Sequence, residues 1–134
     1  MIPVFSRVDT IVLRVADRVA AIRWYRSKLG FQVLFEDEAA GLAVLHTGRD
    51  ATLTLWELRD GETVAPRDLA GPFPVFEAKD AVAERAELIA RNVGTSELRT
   101  MPRARLFSFW DLDGNRLEAC EVVENCARLT APRA

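Results

Sequence analysis

Residues Leu106 to Val122 read L-F-S-F-W-D-L-D-G-N-R-L-E-A-C-E-V. Phe107, Ser108, Phe109 and Trp110 suit a strand, and Leu117 to Val123 is strand-like again with mixed polarity. Between them stand Asp111, Asp113, Gly114 and Asn115. Gly and Asn tolerate positive φ and Asp bonds its own backbone, so this is turn chemistry. The stretch predicts a hairpin that delivers Glu118 a few residues past its turn. Side chains alternate between the faces of a strand, so if Leu117 packs on a helix, Glu118 points the other way. Such a carboxylate is either solvated or part of a lined site, and the rest of the chain bears on which.

Upstream of the hairpin, Phe73 to Ala78 reads as a short strand and Asp80 as the N-cap of a helix. The apolar face of that helix is read as Val82, Ala86, Ile89 and Val93, with Gly94 as its stop. Thr95 to Thr100 is strand-like, and Met101 to Ala104 turns into the hairpin. The first half follows the same order. Val8 to Val15 is a strand with Ile11, Leu13 and Val15 on one face and Thr10, Val12 and Arg14 on the other. Asp17 caps a helix carrying Val19, Ile22, Tyr25 and Leu29 at spacings of three and four, and Gly30 ends it. Strands are then expected over Phe31 to Glu36, Gly41 to Thr47 and Ala51 to Leu58. Strand, helix and three strands therefore occur twice, with Asp caps and Gly stops at matched places, as when two modules pool one buried surface. The expected fold is α+β: two βαβββ modules forming a curled mixed sheet around a concave cavity. They are expected to make one domain over residues 1–134, with modules at about 6–58 and 72–124 and a polar, Pro-containing linker at about 59–71. The expected core is Leu13, Val15, Ile22, Leu29, Leu53, Leu55, Phe76, Val82, Ile89 and Leu117.

Composition bounds the function. A chain of 134 residues can bury roughly two thirds of its extended surface. A net charge of −2 without a basic stripe gives no case for nucleic acid. Cys120 and Cys126, the two cysteines, make no disulfide framework, which favours a reducing compartment. No signal peptide or membrane span is legible, so a cytoplasmic protein without a membrane partner is expected.

Three stretches resemble the vicinal oxygen chelate superfamily of glyoxalase I, fosfomycin and bleomycin resistance proteins and extradiol dioxygenases. They are V-D-T-I-V-L-R-V-A-D (Val8 to Asp17), W-Y-R-S-K-L-G-F (Trp24 to Phe31) and D-L-D-G-N-R-L-E (Asp111 to Glu118). Leu112 stands where the family usually has Pro. The resemblance covers nearly the whole chain and implies the fold, not the reaction. In metal-using relatives it implies four ligand positions, which fall here at Thr10, near Thr54, near Phe73 and at Glu118. Only the last carries a usual ligand, and His46 is the sole histidine, so no metal and no cofactor are expected. The resemblance also implies a homodimer.

Alternation assigns the concave face. Thr10, Val12 and Arg14 are joined there by Thr52, Thr54 and Trp56, and in the second module by Phe73, Val75, Glu77, Ser108, Trp110, Glu118 and Cys120. The ligand-binding set is thus Thr10, Arg14, Thr54, Trp56, Phe73, Ser108, Trp110, Glu118 and Cys120, with Glu118 also the candidate catalytic base. The partner is expected to be a small organic molecule, aromatic or anionic, stacking near Trp56 and Trp110 with its polar end at Arg14 and Glu118. Alternatively, Arg14 and Glu118 pair with each other in a filled cavity. The preferred reading is a metal-free binding protein that sequesters a drug or metabolite. The alternatives are a metal-dependent or acid–base lyase, isomerase or dioxygenase, which leaves enzymatic activity open, and a dimerising accessory domain.

Overall fold

β1 (Thr10–Val15) is a β-branched run whose alternate residues Leu13 and Val15 are buried while Val12 stays exposed. The computed structural model describes residues 2–64 and 70–123, so Cys126 and linker residues 65–69 lie outside the described residues. After β1 come α1 (Arg18–Trp24), a π-helical turn over Tyr25–Leu29, β2 (Gln32–Asp37), β3 (Leu42–His46) and β4 (Thr52–Glu57). β5 (Val75–Glu77), α2 (Ala81–Ala90), β6 (Arg99–Met101), β7 (Ala104–Trp110) and β8 (Arg116–Val122) repeat the order. The doubled strand-helix-three-strand plan is as the sequence predicts.

Each half builds a mixed four-stranded open sheet, ordered β1-β4-β3-β2 in the first and β5-β8-β7-β6 in the second. The first and last strands of each half pair in parallel, β1 with β4 and β5 with β8. The registers match: Val12 faces Thr54 as Val75 faces Glu118. By contacts the chain divides into two units, the first half with the Asp111–Asn115 turn and the second half without it.

In the first unit, Leu13, Val15, Leu53 and Leu55 are buried, with Ala21, Ile22 and Tyr25 also in the core. The Asp17 side chain caps α1 by accepting from Ala20 N. Gly30 ends the helical segment at φ 74°, in the left-handed region open to glycine. The π turn brings Tyr25 inward, whereas Val19 is exposed and Leu29 only half-buried. In the second unit, Phe107, Phe109, Leu117 and Ala119 form the buried face of the sheet, and Phe76 joins them half-buried, 6.3 Å from Phe109.

α2 departs from expectation. Asp80 caps it, accepting from Ala83 N, but its buried residues are Ala81 and Leu88. Val82 and Ile89 are 56% and 46% exposed, so they are not core. The phase is set by the small Ala81 against the sheet, where its N–H donates to Glu121 Oε1 at 2.8 Å, and by Arg85 Nε donating to Ser96 O at 2.8 Å. The left-handed residue after α2 is Asn92, φ 62°, not Gly94. Phe73 precedes β5, and of Thr95 to Thr100 only Arg99 and Thr100 enter a strand, with Thr95 making a lone bridge to Phe109.

Candidate functional site

In the first unit, parallel pairing sets Arg14 opposite Trp56 on the face that also carries Thr10, Thr52 and Thr54. The Arg14 guanidinium lies 4.1 Å from the Trp56 ring centroid, and that of Arg59 lies 4.7 Å away. Arg14 donates to the carbonyls of Trp56 and Glu57 at 3.3 and 2.9 Å. It also forms a fork with Glu62, at 2.6 Å to Oε1 and 3.2 Å to Oε2. That hydrogen bond, with one from the Arg59 backbone, pulls the Glu62 carboxyl down to about 2. Trp56 Nε1 donates to Ala40 O, and Trp56 and Arg59 border a groove of about 450 Å³ that runs past Glu38 to Leu42. Thr10 and Thr54 share a hydroxyl–hydroxyl bond of 2.8 Å.

The second unit holds Glu118. Its position on β8, opposite Ser108 on β7 and Val75 on β5, is fixed by the hairpin register. The side chain is nearly buried, and Oε2 accepts from Arg99 at 2.9 Å, Arg116 at 3.2 Å and Ser108 at 3.4 Å. Arg116 also donates from Nε to Ser108 Oγ and lies over the Phe73 ring at 4.1 Å. Trp110 stands opposite Arg116 in the hairpin, and Cys120 follows Glu118 on the same face, half-buried.

The hairpin turn is anchored in the first unit. Asp111 is buried and accepts from Asp113 N, Asn115 N, Asn115 Nδ2 and, at 2.6 Å, the Tyr25 hydroxyl. Burial first, then the Asp111 carboxylate, pushes the Tyr25 hydroxyl well above its ordinary value. Asp113 accepts from Ala16 N, and burial raises its carboxyl. Asn115 Nδ2 reaches Arg14 O, so the turn binds β1 directly.

The predicted site residues thus fall into two groups. Thr10, Arg14, Thr54 and Trp56 gather in the first unit; Phe73, Ser108, Trp110, Glu118 and Cys120 belong to the second. Arg14 is partnered by Glu62, and Glu118 by Arg99 and Arg116. His46 is exposed at the end of β3, where Nδ1 accepts from Gly48 N. The sequence reading missed Arg116, Arg99, Arg59 and Glu62. Alternation could have found Arg116, two residues before Glu118 on the same face.

The family's metal position can be tested against this chemistry. Thr10 and Thr54 bond each other, Phe73 offers no donor, and the Glu118 carboxylate faces two guanidiniums that would repel a divalent cation. The donor set does not fit a metal. Among the described residues no group of three or more His, Cys, Asp or Glu side chains stands together.

Comparison with known proteins bears on this arrangement. TnmS3, an antibiotic binding protein from Streptomyces sp. CB03234, superposes with a TM-score of 0.74 at 24% identity, covering 90% of this chain and 98% of that one. A superfamily member from Sphaerobacter thermophilus DSM 20745 gives 0.73 at 21% identity, over 87% and 98%. A glyoxalase/bleomycin resistance protein from Streptomyces sp. CB03234 gives 0.67 at 24% identity, over 85% and 98%. Likenesses at these identities establish a shared fold. No curated protein matches the chain. The family model described as Glyoxalase/Bleomycin resistance protein/Dioxygenase superfamily matches residues 7–119. With that match spanning most of the sequence and the doubled βαβββ plan beneath it, the chain belongs to the Glyoxalase/Bleomycin resistance protein/Dioxygenase superfamily.

Proposed function

We propose that the protein binds a small organic ligand without a metal, sequestering a drug or metabolite. The observation that carries this reading is the state of Glu118. A carboxylate held by two arginines and a serine is already neutralised and has little to offer a cation. Each unit supplies what small-molecule sites use, aromatic surface with a few fixed polar donors beside it: Trp56 under Arg14 in the first and Phe73 under Arg116 in the second. A neighbour of the same fold binds an antibiotic, which is consistent with the reading. The reading includes a homodimer at work in the cytoplasm; among the described residues no helix is long and apolar enough to cross a membrane. The test is a thermal-shift screen of planar aromatic drugs and metabolites, with hits titrated calorimetrically with and without EDTA. Binding with the same affinity in both conditions is expected. Binding or turnover that requires added Zn²⁺, Ni²⁺, Mn²⁺ or Fe²⁺ would overturn it.

A further inference from the structure

Around Glu118 the charges do not balance. Two guanidiniums share one carboxylate oxygen, which leaves a local surplus of one positive charge. Glu77, on the same face, stands opposite Cys120, on the far side of Glu118 from Arg116. Arg116 is held by three contacts: the Phe73 ring, Ser108 Oγ and Glu118 Oε2. Those contacts use Nε and Nη2, so Nη1 has no hydrogen-bond partner among the described residues. Arg99 spends only Nη2 on Glu118 and its side chain is 51% exposed. Neighbouring donors on two guanidiniums, one of them immobilised, match the oxygens of a carboxylate. Phe73 beside Arg116, and Trp110 across the hairpin from it, provide aromatic surface for a planar group.

We infer that the Arg99–Arg116 pair is an anion-binding subsite and that the ligand class is an aromatic carboxylate. Its carboxylate meets the guanidinium donors and its ring lies against Phe73. Glu118 is then a positioning residue that holds the two arginines together despite their like charge. The inference rests on the metal-independent binding reading and narrows it.

The experiment uses the ¹⁵N-labelled full chain, with benzoate, benzamide and benzylamine as isosteric probes, and follows the arginine Nε–Hε resonances. Benzoate should move the Arg99 and Arg116 signals along a saturating curve. Benzamide and benzylamine should bind at least about ten-fold more weakly. Arg99→Gln should weaken benzoate about ten-fold or more, and Arg23→Gln, on α1, should not. Since Arg116→Gln alters a packed side chain, the exposed Arg99 variant and the wild-type titration decide the matter. Equal binding of benzoate and benzamide would remove the anion preference and leave the small-molecule reading standing. Benzoate that moves neither signal up to about 20 mM would overturn the subsite. If, in addition, no compound in the wider screen binds, both readings fall.

Discussion

Arg14 shows how one side chain serves fold and site together. It spans the β1–β4 pairing to two carbonyls, lies on Trp56 and forks onto Glu62. Glu62 is exposed, so the fork adds little to stability, but it leaves a titration signature. A carboxyl whose folded pKa is depressed stabilises the fold above its ordinary pKa and loses that contribution as pH falls through the folded value. For Glu62 the window therefore opens below 4.5 and closes near 2. By carbon-detected NMR the Glu62 carboxyl should titrate near 2 in the wild type. In Arg14→Ala it should rise toward 4.5 but stop short of it, because the Arg59 backbone N–H still donates to Glu62. A wild-type midpoint at the ordinary value would show that the fork does not persist in solution. This contact was not legible in the sequence, since Glu62 lies in a segment without periodicity, 48 residues from Arg14. Arg116 was legible, because strand alternation alone puts it on the face of Glu118.

The secondary-structure elements divide by whether local chemistry or packing decides them. Caps are local: Asp17, Asp80 and Gly30 act as the sequence predicts, because each bonds or bends within its own turn. The strand faces are also legible, since Leu53 and Leu55 alternate with Thr52, Thr54 and Trp56. The phase of α2 is not. The small Ala81 approaches the sheet closely and rotates the larger Val82 and Ile89 outward, a choice that no apolar count reveals. A paired substitution measures this. Leu55→Ala should cost about 2–5 kcal/mol through the cavity it leaves, whereas Ile89→Ala should stay within about 0.5 kcal/mol. Equal urea midpoints for the two variants would refute the observed phase. The hairpin turn offers a second measure. Tyr25→Phe keeps the ring among Trp24 and Phe31 but removes a donor from buried Asp111. The expected loss is about 1–3 kcal/mol, because a buried acceptor is left short of a partner. An unchanged midpoint would mean that the backbone and Asn115 donors hold the turn without the tyrosine.

At the scale of the whole molecule, the two open sheets end in four edge strands, β1, β2, β5 and β6. Several of these present apolar side chains to solvent: Val12 on β1, Leu34 and Phe35 on β2, Val75 on β5 and Met101 on β6. Edges of this kind invite pairing with another chain unless charge, proline or a bulge blunts them. β2 has such an irregularity between Val33 and Phe35, which protects it from simple strand addition but leaves its apolar side chains uncovered. With a net charge of only −2, long-range repulsion between copies is weak. Burial of these residues against a second copy would return on the order of 25 cal/mol for each Å² of apolar surface removed from water. We propose on these grounds that the protein is a homodimer. Light scattering at micromolar concentration should return twice the mass of the chain, and the dimer should survive high salt, since apolar contact rather than charge holds it. Phe35→Glu and Val75→Glu each place a carboxylate on an exposed edge without touching the buried core. If the dimer uses one of those edges, the matching variant should shift the mass toward that of one chain while the other leaves it unchanged. A wild-type mass equal to one chain at every concentration would show that the exposed edges are tolerated in a monomer.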